Sequence, residues 1–209
     1  ISGKRYGFFP AAAIGWVVSE EPFMHATRRW LDNMKVRASV GLVGNDKFGD
    51  ENYPPRFTYI QYFNHGDEYK FGTNDFGSTA PNKGIKEGKM ANPNLTWEKA
   101  RKINVGLDMA FLNNSLTFSV DLFKEKRWDI FTDLSGSNKL GFSNIVGASA
   151  PWVNMGKVDN KGIDFEIAWR GKIGKDFTYF IKPNFTFARN KVVFMKEVSR
   201  DYAWRRETG

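Results

Sequence analysis

The run INVGLDMAFLNNSLTFSVDLF, residues 103–123, keeps its large apolar side chains in strict alternation. Ile103, Val105, Leu107, Met109 and Phe111 are separated by Asn104, Gly106, Asp108 and Ala110. The pattern resumes with Leu116, Phe118, Val120 and Leu122, set against Thr117, Ser119 and Asp121. A period of two means strands, because successive strand side chains point to opposite faces. Asn113 and Asn114 both tolerate positive φ, so a two-residue primed turn closes the ribbon. That turn sets Phe111 opposite Leu116, Met109 opposite Phe118, Leu107 opposite Val120 and Val105 opposite Leu122. A slip of one residue would scramble both faces, so turn chemistry and hydrophobic pattern agree on one register. One face is broad and greasy and the other is small, polar or acidic. Which solvent wets each face decides what the chain is.

The design recurs along the chain. Ile163, Phe165, Ile167 and Trp169 alternate with Asp164, Glu166, Ala168 and Arg170. After a link at 171–176, Phe177, Tyr179, Ile181, Pro183, Phe185 and Phe187 are backed by Thr178, Phe180, Lys182, Asn184 and Thr186, where only Phe180 breaks the rule. Lys182 is expected across from Asp164 or Glu166, a favourable pair in a sheet. MKVRASVGL alternates as well, and YGFFPAAAIGWVV is strand-like, with Pro10 marking a strand end or bulge. Between those two, SEEPFMHATRRWLDN reads as a short helical turn. Six strands result. Their connections at 18–33, 112–115 and 171–176 are short or medium, whereas 43–101 and 125–162 are long and dotted with Trp, Tyr and Phe.

Two architectures share this pattern. A soluble antiparallel sandwich buries one face of each strand. A transmembrane β-barrel turns the apolar face to lipid, with short turns at one end and long loops at the other. The barrel accounts for the rhythm of connections, for strands of nine or ten residues, and for Trp169, Phe177 and Tyr179 near the turn ends. No apolar run is long enough for a membrane-spanning helix, which says nothing against strands, since alternation averages hydropathy down to −0.49. The net charge of +8 is compatible with nucleic acid, anionic lipid, lipopolysaccharide or acidic ligands. Absence of cysteine excludes disulfides and thiolate metal sites.

RYGFFPAAAIGWVVSEEPF resembles a signature of the SusC/RagA-like TonB-linked outer-membrane proteins. The resemblance continues through LDNMKVRASVGLVGN, NPNLTWEKARKINVGLDMAFLNNSLTFSVDLF and NMGKVDNKGIDFEIAW, in the family's order. It implies an all-β fold, an antiparallel transmembrane β-barrel of 22 strands filled by a plug, with short periplasmic turns and long extracellular loops. It also implies a SusD-like surface lipoprotein over the outer mouth, energy from TonB, and import of glycan oligosaccharides or peptides. Residues 1–209 are then expected to be part of the barrel domain, starting downstream of the true N-terminus, with the plug and remaining strands absent. No cofactor and no enzymatic activity are expected.

In that frame the polar series faces the lumen: Lys35, Arg37, Asn104, Asp108, Thr117, Asp121, Asp164, Glu166, Arg170, Lys182 and Asn184. Each has a plain role as hydrated or plug-facing wall and a sharper one in touching substrate. Asp108 and Asp121 share a face, as a glycosidase pair does, but hairpin neighbours on a polar wall need no catalytic task. His25 and His65 are too far apart in the pattern to begin a metal site. Trp128, Trp152, Tyr59, Tyr62 and Tyr69 fall in the long loops, where they stack on cargo, pack the loops or meet the lid. The competing class is a soluble basic β-domain that binds nucleic acid or carbohydrate, which calls for cations clustered on one sheet face. Here Asp and Glu are mixed among Lys and Arg, so no nucleic-acid partner is expected.

Overall fold

The computed structural model describes residues 6–47, 57–70, 81–134 and 147–209. Its strands are β1 (Ala11–Val17), β2 (Leu31–Asn45), β3 (Phe63–Lys70), β4 (Pro81–Glu87), β5 (Glu98–Phe111), β6 (Leu116–Asp133), β7 (Trp152–Ile173), β8 (Phe177–Ile181) and β9 (Asn184–Phe194). One antiparallel sheet runs β1-β2-β5-β6-β7, with β8 and β9 both on the far side of β7, and β3 pairs with β4 in a separate hairpin. Short 3₁₀ segments at Val18–Glu20 and Pro22–Arg29 carry the chain from β1 to β2, where a helical turn is expected.

The first hairpin has the expected register, Phe111 with Leu116 through Val105 with Leu122. Asn113 and Asn114 take φ of 55° and 59°, and Leu112 joins them at 55°. This left-handed run is held from outside the hairpin: the Asp32 carboxylate accepts the Asn114 amide at 2.9 Å. The second hairpin is tighter than expected, because pairing continues to Ile173 with Phe177 and the link shrinks to 174–176, where Gly174 has φ +65°. Gly171 is what permits it, since a Cβ there would lie 2.4 Å from the Tyr179 ring. The register of β8 continues into β9 across Lys182-Pro183. Lys182 therefore stands level with Ala168 rather than directly across from an acid, and it reaches Glu166 diagonally at 3.0 Å.

More strand exists than the six alternating runs. The expected long links 43–101 and 125–162 hold the β3–β4 hairpin, the start of β5, the second half of β6 and the first half of β7. Alternation fails there because both faces carry charge, as in Lys124-Glu125-Lys126-Arg127, yet the ladder continues and is tied by Lys102–Glu125 (3.5 Å) and Arg127–Glu98 (3.9 Å). At roughly 3.3 Å per residue and a tilt near 45°, the 22 residues of β7 rise about 50 Å, twice the apolar band of a barrel.

Among the described residues no second layer covers the sheet. Val105, Leu122, Phe185 and Phe187 are 46, 54, 59 and 57% exposed, and the accessible surface of 15597 Å² exceeds by more than half the ~9,900 Å² of a compact monomer of this mass. A sandwich would have buried that face. The apolar positions instead form rows across the sheet, such as Trp16–Val36–Leu107–Val120–Phe165–Phe185 and Ile14–Ala38–Val105–Leu122–Ile163–Phe187. The band these rows make is slanted. It covers Met34–Leu42 on β2, Ile103–Phe111 on β5, Leu116–Leu122 on β6, Ile163–Ile173 on β7 and Phe177–Phe187 on β8 and β9. Both edges step the same way, by about five residues over four strand-to-strand steps. With ~3.3 Å per residue and ~4.8 Å between strands, that drift gives a tilt of roughly 40° between strands and band normal, the value of a membrane barrel. Aromatic residues cluster at its short-turn edge, where Trp30 stacks on Phe111 and Phe177 on Tyr179.

Candidate functional site

The opposite face of the same strands carries the polar series, and its register decides which members meet. One row runs Gly15–Arg37–Gly106–Asp121–Asp164–Thr186, and the row nearer the short turns runs Lys35–Asp108–Ser119–Glu166–Asn184. Arg37 on β2 makes a fork to Asp108 on β5, with Nε to Oδ2 at 2.7 Å and Nη2 to Oδ1 at 3.0 Å. The same Nη2 donates to Asp121 Oδ2 on β6 at 3.0 Å. Ser119 adds a hydroxyl bond to Asp108 Oδ1 at 2.7 Å. One guanidinium thus clamps three strands, a task suited to the planar, five-donor head of arginine.

The clamp depends on Gly106. Arg37 must cross β5 to reach β6, and a Cβ on Gly106 would stand 2.8 Å from the guanidinium and 2.6 Å from Asp121 Oδ1. Glycine leaves the seat open. Asp121 faces Asp164 across the ladder, and its buried Oδ1 has no hydrogen-bond partner among the described residues. The wall therefore carries unmatched acid beside the clamp. A second cluster lies further along, where Lys182 bridges to Glu166 and Asn184 stands opposite Glu166.

The remaining expected residues share the face without joining these networks. Lys35 is paired by register with Asp108, and Thr117 lies between Ala110 and Ala168. Asn104 lines an open depression with Arg37 and Ser39. Arg170 stands opposite Phe180, and its amide donates to the Ser115 carbonyl at 2.7 Å, tying the two short turns together. Asp108 and Asp121 bind the same guanidinium, which gives both carboxylates a structural use. Among the described residues no three potential metal ligands gather, His25 and His65 included.

The long-loop end has its own framework. Trp128 belongs to β6, opposite Lys99. Trp152 stacks on Phe131 at 4.7 Å beneath the Lys89 ammonium, which is 4.0 Å from the ring centroid and 2.7 Å from Asp133. Tyr62 packs on Gly88, Tyr69 on Gly84, and Tyr59 meets Phe57 edge-on. Asn154, which sequence pattern does not single out, clasps three segments: its amide donates to the Thr96 and Asp129 carbonyls and its oxygen accepts the Thr96 amide, each at 2.8 Å. Asp129 can turn there because its φ is 57°, at the irregularity between β6 and β7.

Comparison with known proteins matches this arrangement. The family described as TonB dependent receptor-like, beta-barrel, covers residues 2–204. The TonB-dependent receptor SusC of Bacteroides thetaiotaomicron is 31% identical over 192 residues, 90% of this chain and 17% of the relative. The TonB-dependent receptor P39 of Formosa agariphila is 30% identical over 190 residues, 91% of this chain and 16% of the relative. Among solved structures, the RagAB peptide transporter superposes with a TM-score of 0.71 at 21% identity over 92% of this chain and 19% of that one. The RagAB peptide importer in the closed-closed state gives 0.72 at 20% identity, covering 96% of this chain and 19% of that chain. The chain spans less than a fifth of the length of these relatives.

Proposed function

Because the chain belongs to the TonB-dependent receptor-like β-barrel family, in its SusC/RagA-like branch, we propose that residues 1–209 are a section of the wall of an outer-membrane importer. The plug and the other strands of the 22-stranded barrel come from the rest of the protein. TonB supplies energy through the plug, and a SusD-like surface lipoprotein closes the outer mouth. The cargo is an oligomeric nutrient, an oligosaccharide or a peptide; the RagAB relative is named a peptide transporter. No catalytic role is assigned to this section.

The observation that carries the reading is the slanted apolar band, exposed along its length and backed by a charged polar face. Lipid wets the first and the lumen the second. Lys35, Arg37, Asn104, Asp108, Asp121, Asp164, Glu166, Arg170, Lys182 and Asn184 then form a hydrated wall toward plug and cargo, held in shape by the Arg37 clamp. A soluble basic domain has no use for so large an uncovered apolar face.

The test uses the full-length protein. It is expected in the detergent-extracted outer-membrane fraction, with faster gel migration before boiling, and labelled oligosaccharide or peptide uptake is expected to stop when TonB is removed. A freely soluble full-length monomer overturns the reading.

A further inference from the structure

Above the apolar band, on the face that points away from the polar clamp, the charges are sorted. The first outward position past the band is Arg101 on β5, Lys124 on β6, Lys161 on β7 and Arg189 on β9. The second is Lys99, Lys126, Asp159 and Lys191. Of the acids at this level, Glu98 and Glu125 point the other way and Asp159 alone stands in the second outward row. Register places Lys124 directly beside Lys161, Lys161 beside Arg189, and Arg101 beside Lys126. Like charges side by side in a ladder repel. Only Lys99 and Lys126 find acids, Asp129 at 3.4 Å and Asp159 at 3.8 Å; Arg101, Lys124, Lys161, Arg189 and Lys191 have no ion-pair partner among the described residues. Lys124, Asp159, Lys161, Arg189 and Lys191 also line one shallow depression, with Gly209 at its rim. Beyond the short-turn edge the next positions of the same alternation are Asp32, Asn113 and Lys175, which form no such row.

We propose that this row of cations is a docking surface for the phosphate groups of lipopolysaccharide in the outer leaflet. The inference rests on the membrane-barrel reading above and goes beyond it by assigning the residues. A lipid whose acyl chains lie along Phe187, Ile163 and Leu122 brings its headgroup level with Arg189, Lys161 and Lys124, so charge and apolar surface are continuous at one height. The anion relieves the repulsion within the row, and the surrounding acyl chains reduce solvent screening. The cations lie on the long-loop side, which a barrel turns outward.

The experiment uses the full-length folded protein in detergent, with faster gel migration before boiling as the check on folding. Purified rough lipopolysaccharide is titrated onto wild type and onto the combined variant Lys124→Gln, Lys161→Gln, Arg189→Gln. Binding is expected to weaken roughly 100-fold, about fivefold for each charge removed. Lys175→Gln, at the opposite edge, is expected to leave it unchanged. Dephosphorylated lipopolysaccharide is expected to bind wild type as weakly as the triple variant binds the phosphorylated form, a comparison that needs no variant to fold. Equal affinity for both forms overturns the proposal while leaving the barrel in place. Equal affinity for phosphatidylglycerol vesicles overturns the assignment to lipopolysaccharide. Full-length wild type that never enters the membrane removes the barrel reading and this inference with it.

Discussion

Replacing Gly106 by alanine tests whether a missing side chain holds the polar wall together. The new Cβ would stand 2.6 Å from Asp121 Oδ1 and 2.8 Å from Arg37 Cζ and Nη2. Carbon needs roughly 3.3 Å or more from either, so the guanidinium must retreat by about 0.5–1 Å. The 3.0 Å bond from Arg37 to Asp121 then stretches beyond hydrogen-bond range. The fork to Asp108 survives by rotation, because it lies on the near side of the seat. A hydrogen bond between charged groups contributes about 1.5–3 kcal/mol. The side chains here are 36% and 23% exposed, so solvent screening brings the expected loss to about 1–2 kcal/mol. The assay is urea unfolding of the full-length barrel refolded into lipid vesicles, for wild type, Gly106→Ala, Arg37→Leu and the double variant. If the alanine acts by displacing Arg37, its cost nearly vanishes once Arg37 is gone, and the cycle returns a coupling of about 1–2 kcal/mol. An undiminished cost in the Arg37→Leu background refutes the seat, as does a neutral Gly106→Ala.

Neighbouring residues on opposite faces are predicted to respond unequally to the same change. Phe118→Lys places a charge in mid-band and is expected to cost roughly 2–4 kcal/mol of insertion stability. Ser119→Lys lands beside Asp108 and Glu166 on the polar face and is expected to be tolerated; an outer-membrane assembly assay compares them. The segment after β9 is predicted to depend on pH. Glu197 accepts the amides of Glu207 (2.8 Å) and Thr208 (3.2 Å), and these bonds, that from Glu207 foremost, lower its pKa below the ordinary 4.5. A depressed carboxylate stabilises the fold above its ordinary pKa and loses that contribution as pH falls through the lowered value. Protection of the Glu207 and Thr208 amides, measured as exchange relative to the intrinsic rate at each pH, is therefore expected to fall as pH drops below the ordinary carboxylate range, and Glu197→Gln to show the lower protection at every pH.

What could be read from the sequence followed the solvent. Where one side of the sheet is apolar and the other polar, alternation is forced, and Val105–Leu122 can be read to the exact residue pair. Where strands run beyond the apolar band, both sides carry charge, and nothing in Lys124–Arg127 distinguishes strand from loop. Pairing there is fixed by partners far away in sequence, such as Glu98 and Lys102. The same holds for the site. Arg37, Asp108 and Asp121 were identifiable as members of one face, but their meeting needed the β2–β5 register across 71 residues. Gly106 became informative only once it lay between them. The position of Lys182 shows the limit from the other side. The pattern gives it an acid partner, but β8 follows β7 so tightly that the pair with Glu166 forms on a diagonal.

The most direct measurement places single cysteines in the full-length protein at Leu107 and Phe165, and at Ser119 and Glu166, on a section that contains no cysteine of its own. Spin labels at these sites are then exposed to dissolved oxygen and to a water-soluble nickel chelate in native outer membrane. Lipid contact predicts oxygen-dominated relaxation at Leu107 and Phe165 and chelate-dominated relaxation at Ser119 and Glu166. Chelate access at Leu107 and Phe165, or protection of all four sites from both reagents, would contradict it.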